Sequence, residues 1–162
     1  QPDALGKVLQ GGAGVKISFF VPGIPAPGGS KRFVGIGKKT GRAILIDAAG
    51  ERNKNWRSIV GLCGSAEMRE KAIASFTGPL RVKFDFVMPR RKGDFDSKGG
   101  VKASAPFYHT TRPDALKLAR STEDALTGIV WNDDAQTAML EISKRYADKG
   151  EPCGCQITIQ NL

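Results

Sequence analysis

One histidine and three cysteines are all the soft metal ligands that the 162 residues provide. A structural zinc site needs four well-spaced Cys or His ligands, and this set is badly spaced: Cys153 and Cys155 nearly adjoin and Cys63 stands alone. Three cysteines cannot all pair, so they read as reduced packing residues of a cytoplasmic protein. No apolar run approaches the roughly 18 residues of a membrane span, and a basic-then-apolar leader pattern is missing from residues 1–14. Acid is also in short supply. Sixteen Asp and Glu face 25 Lys and Arg, for a net charge of +9 and a pI near 9.7. That balance favours an anionic partner, with nucleic acid the commonest.

What is present reads as one domain, with 40% hydrophobic residues to build a core. Residues 1–14 are Gly-rich and aperiodic and read as a flexible lead-in, leaving 15–162 as the domain. Val15, Ile17, Phe19 and Val21 alternate as a first strand. PGIPAPGGSKR is then a loop ending in Lys31 and Arg32, which suit phosphate contact. Residues 33–36 and 43–46 flank GKKTGR as a hairpin with a basic tip. GIGKKTG is not a nucleotide-phosphate loop, because Lys39 stands where Ser or Thr should hold the metal, so no nucleotide cofactor is expected. Asp47 can cap a helix whose stripe is Trp56, Ile59, Val60 and Cys63. Gly61 and Gly64 weaken that helix, and residues 66–74 read as a separate turn or helix.

Residues 80–88 alternate cleanly as a strand, ended by Pro89. Residues 90–107 read as a long polar loop whose Arg90, Arg91, Lys92, Lys98 and Lys102 face either solvent or DNA. A second helix is expected over 112–126, with Pro113 at its first position. Its buried stripe is Ala115, Leu118, Ala119, Thr122, Ala125 and Leu126. Asp114, Lys117, Ser121 and Asp124 share the opposite face, with Glu123 off that group. Residues 136–146 read as a strand with Ala138, Leu140 and Ile142 inward, and 156–160 as the last strand. The expected class is α+β: one mixed sheet with two main helices packed on it.

Acids concentrate between His109 and Gln136 in this basic chain. Hard cations such as Mg²⁺ take carboxylate oxygens, water and substrate phosphate. Asp114, Asp124, Asp133 and Asp134 could converge on one from a helix start and a later turn. They could equally be a solvated face, with Asp114 a charge at a helix N-terminus. His109 reads as a general base or as a hydrogen-bonding loop residue.

RPDALKLARSTEDALTGIVWNDDAQ resembles the core motif of the RusA-type Holliday junction resolvases, in a divergent, phage-like form. The family's pattern runs Lys-Pro-Asp, one residue, Asp-Asn, then Lys, Asp-Ala-Leu and a closing Asp-Asp-x-Gln. FFVPGIPAPGGSKR, the helix with Trp56 and Lys144-Arg145-Tyr146 fit as well. The resemblance implies a homodimer that nicks four-way DNA junctions in pairs with Mg²⁺, Mn²⁺ substituting. It implies Asp114 and Asp134 as catalytic acids, Asp133 and Asp124 beside them at the metal, and Arg120 in the place of a functional Lys. Lys117 would help at the phosphate, and Lys31, Arg32 and the 90–102 cations would hold DNA arms. Leu116 replaces the family's second catalytic Asp and Lys117 the neighbouring Asn. A branched-DNA-binding dimer without catalysis is the alternative that these two departures raise.

Overall fold

The computed structural model describes residues 9–11, 14–28, 31–47 and 50–162. Its centre is a four-stranded sheet in the order β2-β8-β6-β7, built from β2 (Lys16–Pro22), β6 (Leu80–Met88), β7 (Thr137–Tyr146) and β8 (Gly154–Asn161). β8 runs antiparallel to both β2 and β6, and β6 runs parallel to β7. Period-two alternation gives the sheet one apolar face. Ile17, Phe19, Val21, Val82, Phe84, Phe86, Ile157 and Ile159 are buried there. The opposite face is polar: Ser18 bonds Thr158 at 2.9 Å, and Lys83 lies 3.3 Å from Asp85 and 3.6 Å from Glu141.

Two helices cover the apolar face, α1 (Gly50–Glu70) and α2 (Ala115–Leu126). They are the α+β architecture that the hydrophobic pattern implies. α1 does not break at its glycines but runs unbroken to Glu70. Gly64 is where the helices meet: a Cβ there would lie 2.8 Å from Leu126 and 3.3 Å from Val130. The glycine lost in helix propensity is returned as close approach. Polar bonds lock the crossing. Trp56, only 1% exposed, donates its indole N–H to Thr122 at 3.1 Å. The Ser121 hydroxyl donates to Asn53, and Gly28 packs on Ser121. Ser121 is therefore buried rather than part of a solvated helix face, because α1 and the segment after β2 close over it.

Three further differences from the sequence pattern have local causes. Residues 73–76 are not helical but form β5 (Ile73–Phe76), which pairs in parallel with β1 (Leu9–Gly11). α2 begins at Ala115 with Asp114 as its N-cap residue, and Pro113 precedes it in a cis peptide bond. Ala138 and Leu140 are exposed, not inward; Leu140 pairs with Val82 but lies on the edge strand, beyond the cover of the helices. The hairpin is present as β3 (Lys31–Ile36) and β4 (Ala43–Asp47), a two-stranded sheet of its own. It exposes Phe33, Val34, Ile36, Ile44 and Leu45. The expected cap at Asp47 lies outside the described side chains, as does most of the expected lead-in. No helix among the described residues is long and apolar enough to cross a membrane.

Candidate active site

Asp114 is exposed and sits at the entry of α2, 3.5 Å from the Lys117 ammonium one turn on. Lys144 approaches from β7. Its ammonium donates to the carbonyls of Thr111 at 2.7 Å and Pro113 at 2.6 Å, fixing the chain just before Asp114. Burial lowers the Lys144 pKa, and the Asp114 charge works against that. The acid is thus held between two cations. Sequence reasoning placed Lys117 here but gave Lys144 no role at the acid; its signal was its place in the strand that pairs with β6, which only the register reveals.

Asp114 opens onto a cleft of about 1030 Å³. The segment after β2 supplies Ile24, Pro25 and Pro27, and α1 supplies Arg52, Asn55 and Ile59. Met88 and Pro89 close one side; His109, Arg112 and Lys117 flank the acid. An apolar floor with a cationic rim suits a nucleotide chain, whose bases are apolar and whose phosphates are not. His109 is 92% buried from its 8% exposure and stacks on Tyr146 at 4.6 Å. Burial, then the Lys144 charge, lowers its pKa. Both favour the neutral imidazole, whose Nε2 lies 3.5 Å from the Thr111 hydroxyl.

The other acids gather at the far end of α2. Glu123 is half-buried there, and burial raises its pKa, with the nearby carboxylates of Asp134 and Asp124 adding to the rise and the Thr137 hydroxyl opposing it. The helical projection that sets Glu123 apart from Asp114 is right, and it turns Glu123 toward Asp134. Asp133 has a structural task. It caps a 3-10 turn over Asp134–Gln136, accepting from Ala135 N–H at 2.9 Å, while Gln136 accepts from Asp133 N–H in return. Arg120 is exposed between the two ends, and Leu116 is 72% exposed beside Asp114.

The structure does not bring Asp114 and Asp134 together within one chain. A helix of 12 residues spans ~18 Å. β7 gives a second ruler, since Thr137 lies by Glu123 and Lys144 by Asp114. Seven strand residues at ~3.3 Å each make ~23 Å. No group of three or more Asp, Glu, His or Cys among the described residues is placed to hold a metal ion. The carboxylates have the hard-donor chemistry that Mg²⁺ takes, and within a single chain Asp114 at the start of α2 stands apart from Glu123, Asp124 and Asp134 at its other end.

The loop at 90–107 is built structure, not a free flap. Its centre is Asp94, buried on a 3-10 turn over Lys92–Asp94. The Arg90 side chain is only 4% exposed; it donates to Ala147 O at 2.9 Å and Pro106 O at 2.8 Å and lies 5.3 Å from the Tyr146 ring. Its donors are committed inside the fold, so Arg90 is a packing residue. Arg91 pairs with Asp94 at 3.1 Å but stays 57% exposed, and Lys92 and Lys98 are exposed. Lys102 is exposed yet ties to Gly93 O at 2.8 Å. Asp96 accepts from the N–H groups of Lys98 and Gly100, setting the loop's turn. Lys31 and Arg32 lie in β3, and their side chains are outside the described residues.

Among known proteins, the chain is similar to a protein of Bacillus subtilis (strain 168) called "Uncharacterized protein YqaN". The two are 28% identical over 135 residues, 82% of this chain and 89% of that one. The profile of a family described as "Endodeoxyribonuclease RusA" matches residues 9–160, which takes in the sheet, both helices and every acid discussed above. The chain belongs to the RusA endodeoxyribonuclease family.

Proposed function

We propose that the protein resolves four-way DNA junctions and other branched DNA by paired nicks, acting as a homodimer. The observation that carries this reading is the family match over residues 9–160 together with Asp114 at the mouth of a cation-rimmed cleft. The net charge of +9 supplies the general attraction to phosphates. Arg52, Arg112 and Lys117 on the cleft rim, with Arg91, Lys92, Lys98 and Lys102 on the neighbouring loop, are the side chains that would follow the DNA backbone.

The separation of the acids supports the dimer. Asp114 and Asp134 stand at opposite ends of α2, so a chain that needs both must take one from a second copy. A two-fold dimer does this twice and so presents two identical sites, as paired nicks require. The hairpin and Met139 and Leu140 of β7 expose apolar side chains that self-association would cover. In such a dimer Asp114 of one chain and Asp134 of the other would hold Mg²⁺, or Mn²⁺ in its place, with Asp124 nearby. A hard cation held there would supply charge neutralisation at the reacting phosphate. Lys117 and Lys144 position Asp114 and offset its charge against the incoming phosphate, and Arg120 adds a cation on the exposed face of α2.

The direct test is incubation of a synthetic four-way junction and matched linear duplexes, with and without Mg²⁺ or Mn²⁺. Symmetric nicks near the branch in the junction alone support the reading. Tight junction binding with no cleavage under any divalent cation supports instead the non-catalytic dimer that Leu116 raises. Equal cleavage of linear duplex contradicts both.

A further inference from the structure

We propose that Phe107 and Tyr108 form a stacking platform for unpaired bases at the branch point of the DNA, an assignment that rests on the branched-DNA reading above. The two rings are 52% and 65% exposed, and their centroids lie 4.9 Å apart at 85°. Among the described residues only Phe33 shows an aromatic ring so openly. Exposed apolar side chains scattered singly need no explanation, but a contiguous aromatic pair at a charged site does.

The pair is displayed from fixed backbone. Tyr146 N–H donates to Phe107 O at 2.9 Å, and His109 N–H donates to Lys144 O at 3.1 Å. Arg90, from within the fold, holds Pro106 O. Residues 107–109 are therefore pinned to the end of β7 through an antiparallel bridge between Tyr108 and Arg145, and the rings stand on it in a set orientation. Such preorganisation matters for stacking, because little ordering remains to be done when a base arrives.

A cation sits against the pair. The Arg145 guanidinium lies 5.8 Å from the Phe107 centroid and is held there by Glu151 through bonds of 2.8 and 2.6 Å. Arg91, 57% exposed, lies 5.7 Å from the centroid of Tyr146, the ring that His109 packs against. Flat apolar faces beside exposed cations match a nucleic acid strand, with bases on the rings and phosphates on the charges. The place is also right. His109, the next residue, lines the cleft with Asp114, and Lys144 links this strand to Pro113 O. A base leaving the stack at the branch would meet the platform while its own strand lies along the cleft.

The test uses the full chain, without divalent cation so that nothing is cut. Its probes are a labelled four-way junction and a linear duplex with the same arms. Replacing both residues, Phe107→Ala with Tyr108→Ala, should weaken junction binding by about 5- to 150-fold per stacked base. Duplex binding should stay within about twofold and the salt dependence unchanged, since no phosphate contact is lost. Leu at both positions keeps apolar area without a flat π-face and should be nearly as weak; Trp at both should bind like wild type. Junction binding unchanged in the Ala pair, equal losses on duplex, or wild-type affinity in the Leu pair would each overturn the platform. So would a loss of self-association in sedimentation, which would give the rings to a second copy of the chain. A wild-type protein with no preference for the junction overturns the branched-DNA reading and the platform together. A preference that survives in the Ala pair overturns the platform alone.

Discussion

Replacing Arg90 should lower the stability of the fold rather than remove a DNA contact. Two backbone carbonyls, Ala147 O and Pro106 O, depend on its guanidinium, and the buried Asp94 carboxylate lies 3.9 Å away. Alanine removes both charge-assisted bonds, worth about 1.5–3 kcal/mol each, and leaves Asp94 with Arg91 alone, on a side chain only 8% exposed. The two losses overlap, so Arg90→Ala should cost about 3–5 kcal/mol, the range for breaking a buried pair. In a domain of this size 1 kcal/mol moves Tm by about 2–4 °C, so the drop should be at least about 6 °C. Lys keeps the charge but not the two-pronged donor geometry and should recover only part. Lys92→Glu with Lys98→Glu is the contrast. Those side chains are exposed, so Tm should move little while DNA affinity falls and its salt slope flattens. Thermal melts beside salt-dependent binding read both. An Arg90→Ala protein with wild-type Tm but weakened DNA binding would refute the packing role.

Packing where α1 crosses α2 and the charge of Glu123 give two further predictions. Gly64→Ala must push Leu126 or Val130 aside, since its Cβ would lie 2.8 Å from one and 3.3 Å from the other; a loss of about 1–3 kcal/mol in urea denaturation is expected, and a gain of the size that helix propensity gives would contradict the close crossing. Burial raises the Glu123 pKa above the usual value near 4.5, so the folded state holds that proton longer than the unfolded chain. Stability from this group is present below the unfolded pKa and is lost as pH rises through the folded one. Glu123→Gln should therefore stabilise the protein at pH 7 and do so progressively less as pH falls toward 4; a gain that is the same at both would contradict the burial.

The fold was legible where one pattern governed a segment. The alternation of Val82, Phe84 and Phe86 and the stripe of Leu118, Thr122 and Leu126 both face the core, as their periods require. Gly64 shows where a local rule misleads: its low helix propensity is outweighed by a helix crossing that involves residues far along the chain. Leu140 shows the reverse, a correct face on a strand whose edge position the sequence does not encode. At the site, Asp114 and its Lys117 partner follow from helical spacing alone. Lys144, Arg52 and the cleft required the packing of segments distant in sequence. Arg90 and Arg91, adjacent and chemically alike, have different fates, because only one of them points at Ala147 and Pro106.

Mixing two inactive variants tests most directly whether a working site is assembled from two chains. Asp114→Asn and Asp134→Asn should each abolish junction cleavage while sparing the fold. If each site takes Asp114 from one chain and Asp134 from the other, a mixed dimer has one site with both defects and one with none. Unfolding the two variants together and refolding them should then restore Mg²⁺-dependent nicking, with single nicks in place of paired ones. If each chain carries its own complete site, every site in the mixture keeps one defect, and the refolded mixture will be as inactive as its parents.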